Sequence, residues 1–197
     1  MKRIFTASLF LFFAFSGSSL FAQVSKGNWI VGGSGSLDIS KTELGNGSNY
    51  TSSSKERSFG LSPYVGYFPL NQLAVGIRTN FERNKYINEG SNSFVSKVLE
   101  AGPFARYYFL PTGSKVNLLT EGSYQYGHRW GNQDFRLRTY SLSAGSVFFL
   151  NQHVGVEMLM GYYNRKETLA PNESSNFRTS GLKMSLGVQV HLGKAKK

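Results

Sequence analysis

Residues 181–192 read Gly-Leu-Lys-Met-Ser-Leu-Gly-Val-Gln-Val-His-Leu. Every second residue of this segment is a large apolar one: Leu182, Met184, Leu186, Val188, Val190 and Leu192. Side chains of a strand alternate between its two faces, whereas a helical period of 3.6 would spread these apolar residues around the whole cylinder. The segment therefore predicts a strand with one wholly apolar face. That face packs either against the core of a water-soluble protein or against membrane lipid.

The same alternation recurs along the chain. Eight runs show it, at residues 29–39, 57–68, 73–81, 95–110, 115–127, 136–150, 153–163 and 181–192. Short turn-forming connections at 69–72, 111–114 and 151–152 alternate with longer polar stretches at 40–56, 84–94, 128–135 and 164–176. This layout predicts an antiparallel up-and-down meander with short turns at one end and long loops at the other. Because a two-residue turn at 151–152 would mix the two strand faces, we expect a bulge or a wider turn there.

The first 22 residues indicate export. Lys2 and Arg3 precede an apolar run at 4–15, and a small polar stretch leads to Phe21-Ala22. This pattern predicts a signal peptide at 1–22 with cleavage after Ala22, because the apolar run is shorter than the ~20 residues of a spanning helix. The rest has the length of one domain, at 23–192, followed by a basic tail at 193–197. The chain contains no cysteine, which excludes disulfides and thiolate metal sites.

The polar faces of the runs favour lipid outside over water outside. They consist mostly of Gly, Ser, Thr, Asn and Gln, which cover a soluble exterior poorly but fit the crowded interior of a narrow barrel. Aromatic residues concentrate near the strand ends, as in the two interfacial girdles of a membrane barrel. The alternative is a soluble sandwich whose core holds these aromatics. We expect an all-β fold, a single eight-stranded transmembrane barrel.

The end of the last run carries a resemblance to a known family. Residues 185–192 are similar to the barrel-assembly signal of outer-membrane proteins, with Gly187, Val190 and Leu192 at its marked positions. Over residues 23–192 the chain resembles the small outer-membrane barrels of Gram-negative bacteria, the OmpX-like and OmpA transmembrane-domain group. It departs in two ways, since Leu192 replaces the usual aromatic residue and five residues follow it. The resemblance implies an outer-membrane location, with the barrel-assembly machinery and periplasmic chaperones as partners during biogenesis, and we expect a monomer.

Six charged residues fall on the predicted inward face. They are Arg78, Glu100, Arg106, Glu121, Glu157 and Lys183. Isolated buried charges are costly, so we expect these cations and carboxylates to pair in the lumen. The hypothesis is a salt-bridged plug, and the alternative is a narrow porin-like channel for small solutes, gated by the same pairs.

The predicted loops and upper strand ends are rich in Lys and Arg, and the full chain has a formal net charge of +11. Arg129, Arg136 and Arg138 are candidates to contact lipopolysaccharide phosphates in the outer leaflet, and the alternative is an ordinary solvated rim. Export explains the basic charge without nucleic acid, so we expect no nucleic-acid partner. The histidines, at 128, 153 and 191, are too scattered for the His-Ser-Glu set of a lipid A-modifying enzyme. We expect no catalytic residues, no cofactor and no metal site.

Overall fold

Eight long strands form the described part of the chain. The computed structural model describes residues 24–46, 49–88, 94–131, 134–169 and 176–193, so the signal peptide predicted at 1–22 lies outside the described residues, as do 194–197 of the tail. The strands are β1 (Trp29–Asn46), β2 (Asn49–Leu70), β3 (Leu73–Asn88), β4 (Phe94–Tyr108), β5 (Val116–Trp130), β6 (Phe135–Phe149), β7 (Val154–Leu169) and β8 (Asn176–Leu192). Within these residues no helix is long and apolar enough to cross a membrane.

Each strand pairs antiparallel with its neighbours in sequence, and β8 pairs with β1 to close a barrel. When the paired residue is traced from each strand to the next, from β1 round to β8, the path that starts at Trp29 ends at Leu182. In the closing pair of strands, however, Trp29 pairs directly with Leu192. The strands are therefore staggered by ten residues around the barrel. With a rise of about 3.3 Å per residue and about 4.8 Å between strands, this stagger gives a tilt of about 41°. The predicted eight-stranded meander is confirmed.

Several strand bounds differ from the predicted runs. β1 and β2 stay paired as far as Asn46 and Asn49, through a Ser-, Asn- and Gly-rich stretch that lacks apolar alternation. Backbone pairing needs no apolar side chain, so this extension leaves no periodic signal. The closing pair of strands is shorter than the run at 29–39 predicts, since β1 and β8 pair only from Trp29 to Gly35. The connection after Phe149 is wider than two residues, as expected, and the N–H groups of Leu150 and Asn151 both donate to the Val154 carbonyl.

Most large apolar side chains of the described strands are exposed on the outer face of the barrel. Leu182 is 73 % exposed and Leu142 66 %, while the alternate positions face the interior. Along β6, eight residues separate Phe148 near the short turns from Tyr140, which corresponds to about 20 Å along the barrel axis. This apolar belt is close to the ~25 Å band of transmembrane barrels. The apolar-in arrangement of a soluble barrel does not apply to these residues.

The short-turn end is covered by a floor made of Val24, Phe68, Gln72 and Tyr108. Val24 is only 1 % exposed and belongs to the same buried cluster as the two aromatic residues. Gln72 adopts a positive φ of 67°; its N–H donates to the Val24 carbonyl, and its carbonyl accepts the N–H of Tyr108. Residues just before β1 are thus fixed to β4 through the β2–β3 turn.

Candidate functional site

The lumen is crossed near the floor by a lower ion-pair cluster of Arg78, Arg106, Glu121 and Glu157. Arg106, on β4, is fully buried, and its Nη1 donates to Glu157 Oε2 on β7 at 2.7 Å. Its Nη2 donates to Glu121 Oε2 on β5, also at 2.7 Å. Arg78 reaches the same Glu121 from β3, with Nη1 2.9 Å from Oε1. Two guanidinium groups and two carboxylates from four strands therefore neutralise one another.

Neutral side chains from two further strands complete the lower cluster. Arg106 Nη1 also donates to the Tyr64 hydroxyl on β2 at 3.1 Å and to Gln189 Oε1 on β8 at 2.9 Å. The Arg106 guanidinium lies over the Tyr64 ring, 4.7 Å from its centroid. Gly187 makes room for this arrangement, because a Cβ there would lie 3.0 Å from Glu157 Oε1 and 2.7 Å from the Gly33 carbonyl. Six of the eight strands thus meet at one buried guanidinium or its partners.

An upper ion-pair cluster of Glu82, Glu100, Arg165 and Lys183 lies nearer the long-loop end. Arg165 Nη1 and Nη2 donate to the two Glu82 oxygens at 3.0 and 3.1 Å, and Nη2 also donates to Glu100 Oε2 at 2.7 Å. Lys183 donates to Glu82 Oε1 at 3.2 Å. The Thr139 hydroxyl donates to the other oxygen of Glu100. Two cations and two carboxylates again balance.

A polar cavity of about 710 Å³ extends along the lumen from Arg78 of the lower cluster past the upper cluster toward the long-loop end. Its lining includes Asn80, which lies between Arg78 and Glu82 on β3, and also Asn84 and Glu167, which lie beyond Glu82 and Arg165 toward the long-loop end. Seven serines contribute hydroxyl groups to this lining: Ser34, Ser36, Ser62, Ser123, Ser141, Ser143 and Ser185. The cavity also reaches Leu182 and Met184 on β8, beyond the last β1–β8 pair. The cavity therefore combines neutral hydrogen-bonding groups with side chains that are already engaged in ion pairs.

The structure places all six residues of the predicted lumen network inside the barrel. It divides them into two clusters, with Glu100 and Lys183 in the upper one. Glu82 and Arg165 are central to that cluster, yet neither belongs to the predicted network, because the predicted runs end at residues 81 and 163. Extending the alternation from Arg78 to Glu82, and from Glu157 to Arg165, would have found them, since each pair shares a strand face.

The three candidate lipopolysaccharide contacts divide between the two sides of the wall. Arg136 and Arg138 are exposed on the outer face of β6. Arg129 faces inward, where it pairs with Glu167 at 2.8 Å and lies over the Phe135 ring, 4.2 Å from its centroid. The expectation that Arg129 is available to lipid is therefore wrong, because its charge is already neutralised by a buried carboxylate.

The other residues singled out in the sequence are those of the assembly signal and the three histidines. Gly187 faces the lumen, Val190 is half-buried and Leu192 is exposed on β8. The three histidines are far apart in the fold: His128 stacks on Trp130 outside, His153 is in the β6–β7 turn, and His191 packs against Phe68 in the floor. Within the described residues, no group of three His, Asp or Glu side chains could hold a metal ion.

Comparisons with known proteins identify the fold of the chain. No protein-family model matches the chain, and no curated protein sequence matches it. Among solved structures, the outer membrane protein OprG from Pseudomonas aeruginosa is similar at 14 % identity with a TM-score of 0.57, covering 90 % of this chain and 100 % of its own. Neisserial surface protein A is similar at 18 % identity with a TM-score of 0.49, covering 84 % of this chain and 97 % of its own. The likeness to OprG shows that the chain has the fold of a small outer-membrane barrel.

Proposed function

We propose that this chain, which has the fold of small outer-membrane barrels, is an integral outer-membrane protein with a closed polar lumen and a structural, envelope-interacting role. The observation that carries the proposal is the reversed distribution of polarity between the two faces of the wall. Charged groups such as Arg106 and Glu157 are fully buried inside, whereas Leu182 and Met184 are among the most exposed side chains. This distribution is stable only where the surroundings of the barrel are apolar.

The closed lumen is supported by the contacts that cross it. An eight-stranded barrel has an interior that its own side chains just fill. Here the lower cluster joins side chains from six strands through direct hydrogen bonds of 2.7 to 3.1 Å. A solute entering from either end would have to separate buried ion pairs, which is costly when one charge is left alone. The lower cluster is therefore the plug in this proposal.

Two measurements test the proposal on the mature chain. Purified outer membranes run on a gel without and with heating should show a mobility shift, because a closed barrel stays folded in the detergent until it is boiled. Planar bilayers containing the refolded protein should show no steady conductance. A protein recovered in the soluble periplasmic fraction would refute membrane insertion, and steady channels of large amplitude would refute the plug.

The polar cavity supports a second candidate, a narrow channel for small solutes. At about 710 Å³ it has room for several water molecules along the lumen. Brief openings would then require rearrangement of the pairs formed by Arg106 and Arg165. Conductance that rises steeply when Arg106 is replaced by Ala, from a wild type that already flickers, would favour the channel. A silent wild type and a silent variant would favour the plug.

The role that we propose is not enzymatic. The locations of the histidines support this: His128 stacks on Trp130 outside, His153 lies in a turn and His191 packs in the floor, so no two of them could act in one catalytic site. A lipid A deacylation assay with the refolded barrel would refute it if product formed. We further propose that periplasmic chaperones and the barrel-assembly machinery deliver the chain as a monomer. Arg136 and Arg138 remain our candidates for contact with lipopolysaccharide, as exposed cations at the long-loop end.

A further inference from the structure

On β5 to β8 the acidic side chains all face the lumen, whereas several basic side chains face outward. All acidic residues of these strands, Glu121, Glu157 and Glu167, face the lumen and are buried. Four cations of the same strands face outward and are exposed, namely Arg136, Arg138, Lys166 and Arg178. On the outer face of these four strands, the described residues thus include cations and no carboxylate.

Three of these cations lie side by side. Arg138 on β6 pairs in register with Lys166 on β7, which pairs with Arg178 on β8. We call Arg138, Lys166 and Arg178 the outer basic row; it spans three strands, about 10 Å. Like charges directly opposite each other on one sheet face destabilise the sheet. An anion bound over the row would remove that repulsion.

Below the outer basic row the surface changes in steps toward the apolar belt. The next outward positions are Tyr140, Asn164 and Ser180, which share one register line. Tyr162 is exposed one outward position below Asn164 on β7, so hydroxyl and amide groups form a polar shelf under the cations. One further step down lie Leu142 and Leu182, and one step below them lie Met160 and Met184, all among the most exposed apolar side chains of this face.

We propose that this face of β6 to β8 is a docking site for bisphosphorylated lipid A, the membrane anchor of lipopolysaccharide. The phosphates bind the outer basic row, the sugar hydroxyls meet the polar shelf, and the acyl chains lie along the apolar side chains below. Several cations at a span of about 10 Å suit a headgroup with more than one phosphate better than the single phosphate of a phospholipid. Methionines adapt their shape to irregular acyl surfaces. The inference rests on the proposed function, since it requires the belt to face lipid.

A second cation pair on the barrel provides a matched control. Arg83 on β3 and Lys97 on β4 are also exposed, outward and paired in register. Their row has no third cation in register, because the neighbour of Arg83 on β2 is Phe59 and that of Lys97 on β5 is Trp130. Both pairs contribute equally to the overall charge of the barrel, so only a local site distinguishes them.

The experiment compares Arg138→Glu/Lys166→Glu with Arg83→Glu/Lys97→Glu in the refolded mature chain. Each variant is first checked for heat-modifiable gel migration, so that loss of the barrel is separated from loss of the site. Native mass spectrometry then measures the fraction of barrel that carries purified lipid A, dephosphorylated lipid A or phosphatidylglycerol from mixed micelles.

The expected result is at least a tenfold loss of lipid A binding in the first variant and less than a threefold loss in the second. Dephosphorylated lipid A and phosphatidylglycerol should bind the wild type at least tenfold more weakly than lipid A. Equal losses in the two variants would overturn the proposal in favour of general attraction by the rim. Equal binding of phosphatidylglycerol would overturn the assignment to lipid A. If no variant and no wild type shows heat-modifiable migration, it is the proposed function that fails.

Discussion

Removing the Arg106 side chain is the most direct perturbation of the lumen. In Arg106→Leu, Glu121 keeps its ion pair with Arg78, but Glu157 keeps only the hydrogen bond from Tyr64. Glu157 is fully buried, so its carboxylate is left without a cation in the interior. Breaking a buried ion pair by removing one partner costs about 3–5 kcal/mol. With a urea m value of about 2 kcal/mol/M, the unfolding midpoint should fall by about 1.5–2.5 M.

The double variant Arg106→Leu/Glu157→Leu separates the cost of the unpaired charge from the loss of packing. Replacing both partners by apolar groups of similar volume is often close to neutral, so the double variant should be at least ~2 kcal/mol more stable than Arg106→Leu. Arg138→Leu, on the outer wall, is the matched control and should change stability by less than ~0.5 kcal/mol. The assay is urea unfolding in lipid vesicles, followed by the fluorescence of Trp29 and Trp130 and by gel migration.

Two results would refute this reasoning. A midpoint shift below about 0.5 M for Arg106→Leu would mean that the lower cluster contributes little to stability. A double variant as unstable as Arg106→Leu would mean that the loss comes from the size and packing of the arginine and not from the carboxylate of Glu157 left behind.

The remaining predictions concern the wall and the floor. Val188→Arg, on the exposed lipid-facing side of β8, should lower the free energy of unfolding by ~2–4 kcal/mol in the same urea assay, whereas Ser185→Thr on the lumen side should be nearly silent; equal effects would show that the faces are wrongly assigned. Val24→Ala should cost ~2 kcal/mol because two buried methyl groups leave the floor, while Lys26→Ala, at an exposed neighbour, should leave the unfolding midpoint unchanged. A Val24→Ala midpoint equal to that of the wild type would contradict the packing of the floor.

The strand faces could be predicted from the sequence because a membrane barrel has a strict contrast between its two sides. Along 181–192 each even-numbered residue is apolar. These residues are exposed on the outer face, except Val190 near the short-turn end, which is half-buried. The same contrast correctly placed Arg106 and Glu157 in the lumen. It weakens above the apolar belt, where both faces are polar. This is why the pattern predicts Arg129 at the outer rim and does not predict Arg165 in the lumen.

The partners inside the lumen could not be predicted in the same way. Alternation determines the face of a residue but not the register of its strand, and a ten-residue stagger decides which side chains meet across the barrel. Arg106 and Glu157 are separated by 51 positions and lie on strands that are not neighbours. Their contact depends on the tilt and diameter of the closed barrel, which no single segment encodes.

The floor links the order of synthesis to the completion of the barrel. Val24 is two positions beyond the predicted cleavage site after Ala22, which would make it the second residue of the mature chain, yet its contacts are with residues of β2, of β4 and of the turn between β2 and β3. It therefore finds its place only after the first half of the barrel has formed around it. An affinity tag or fluorescent label attached directly at the mature N-terminus would lie next to the floor. It would therefore be sensitive to the packing of Val24, the step that completes the floor. A spacer of several residues would be needed to leave that step undisturbed.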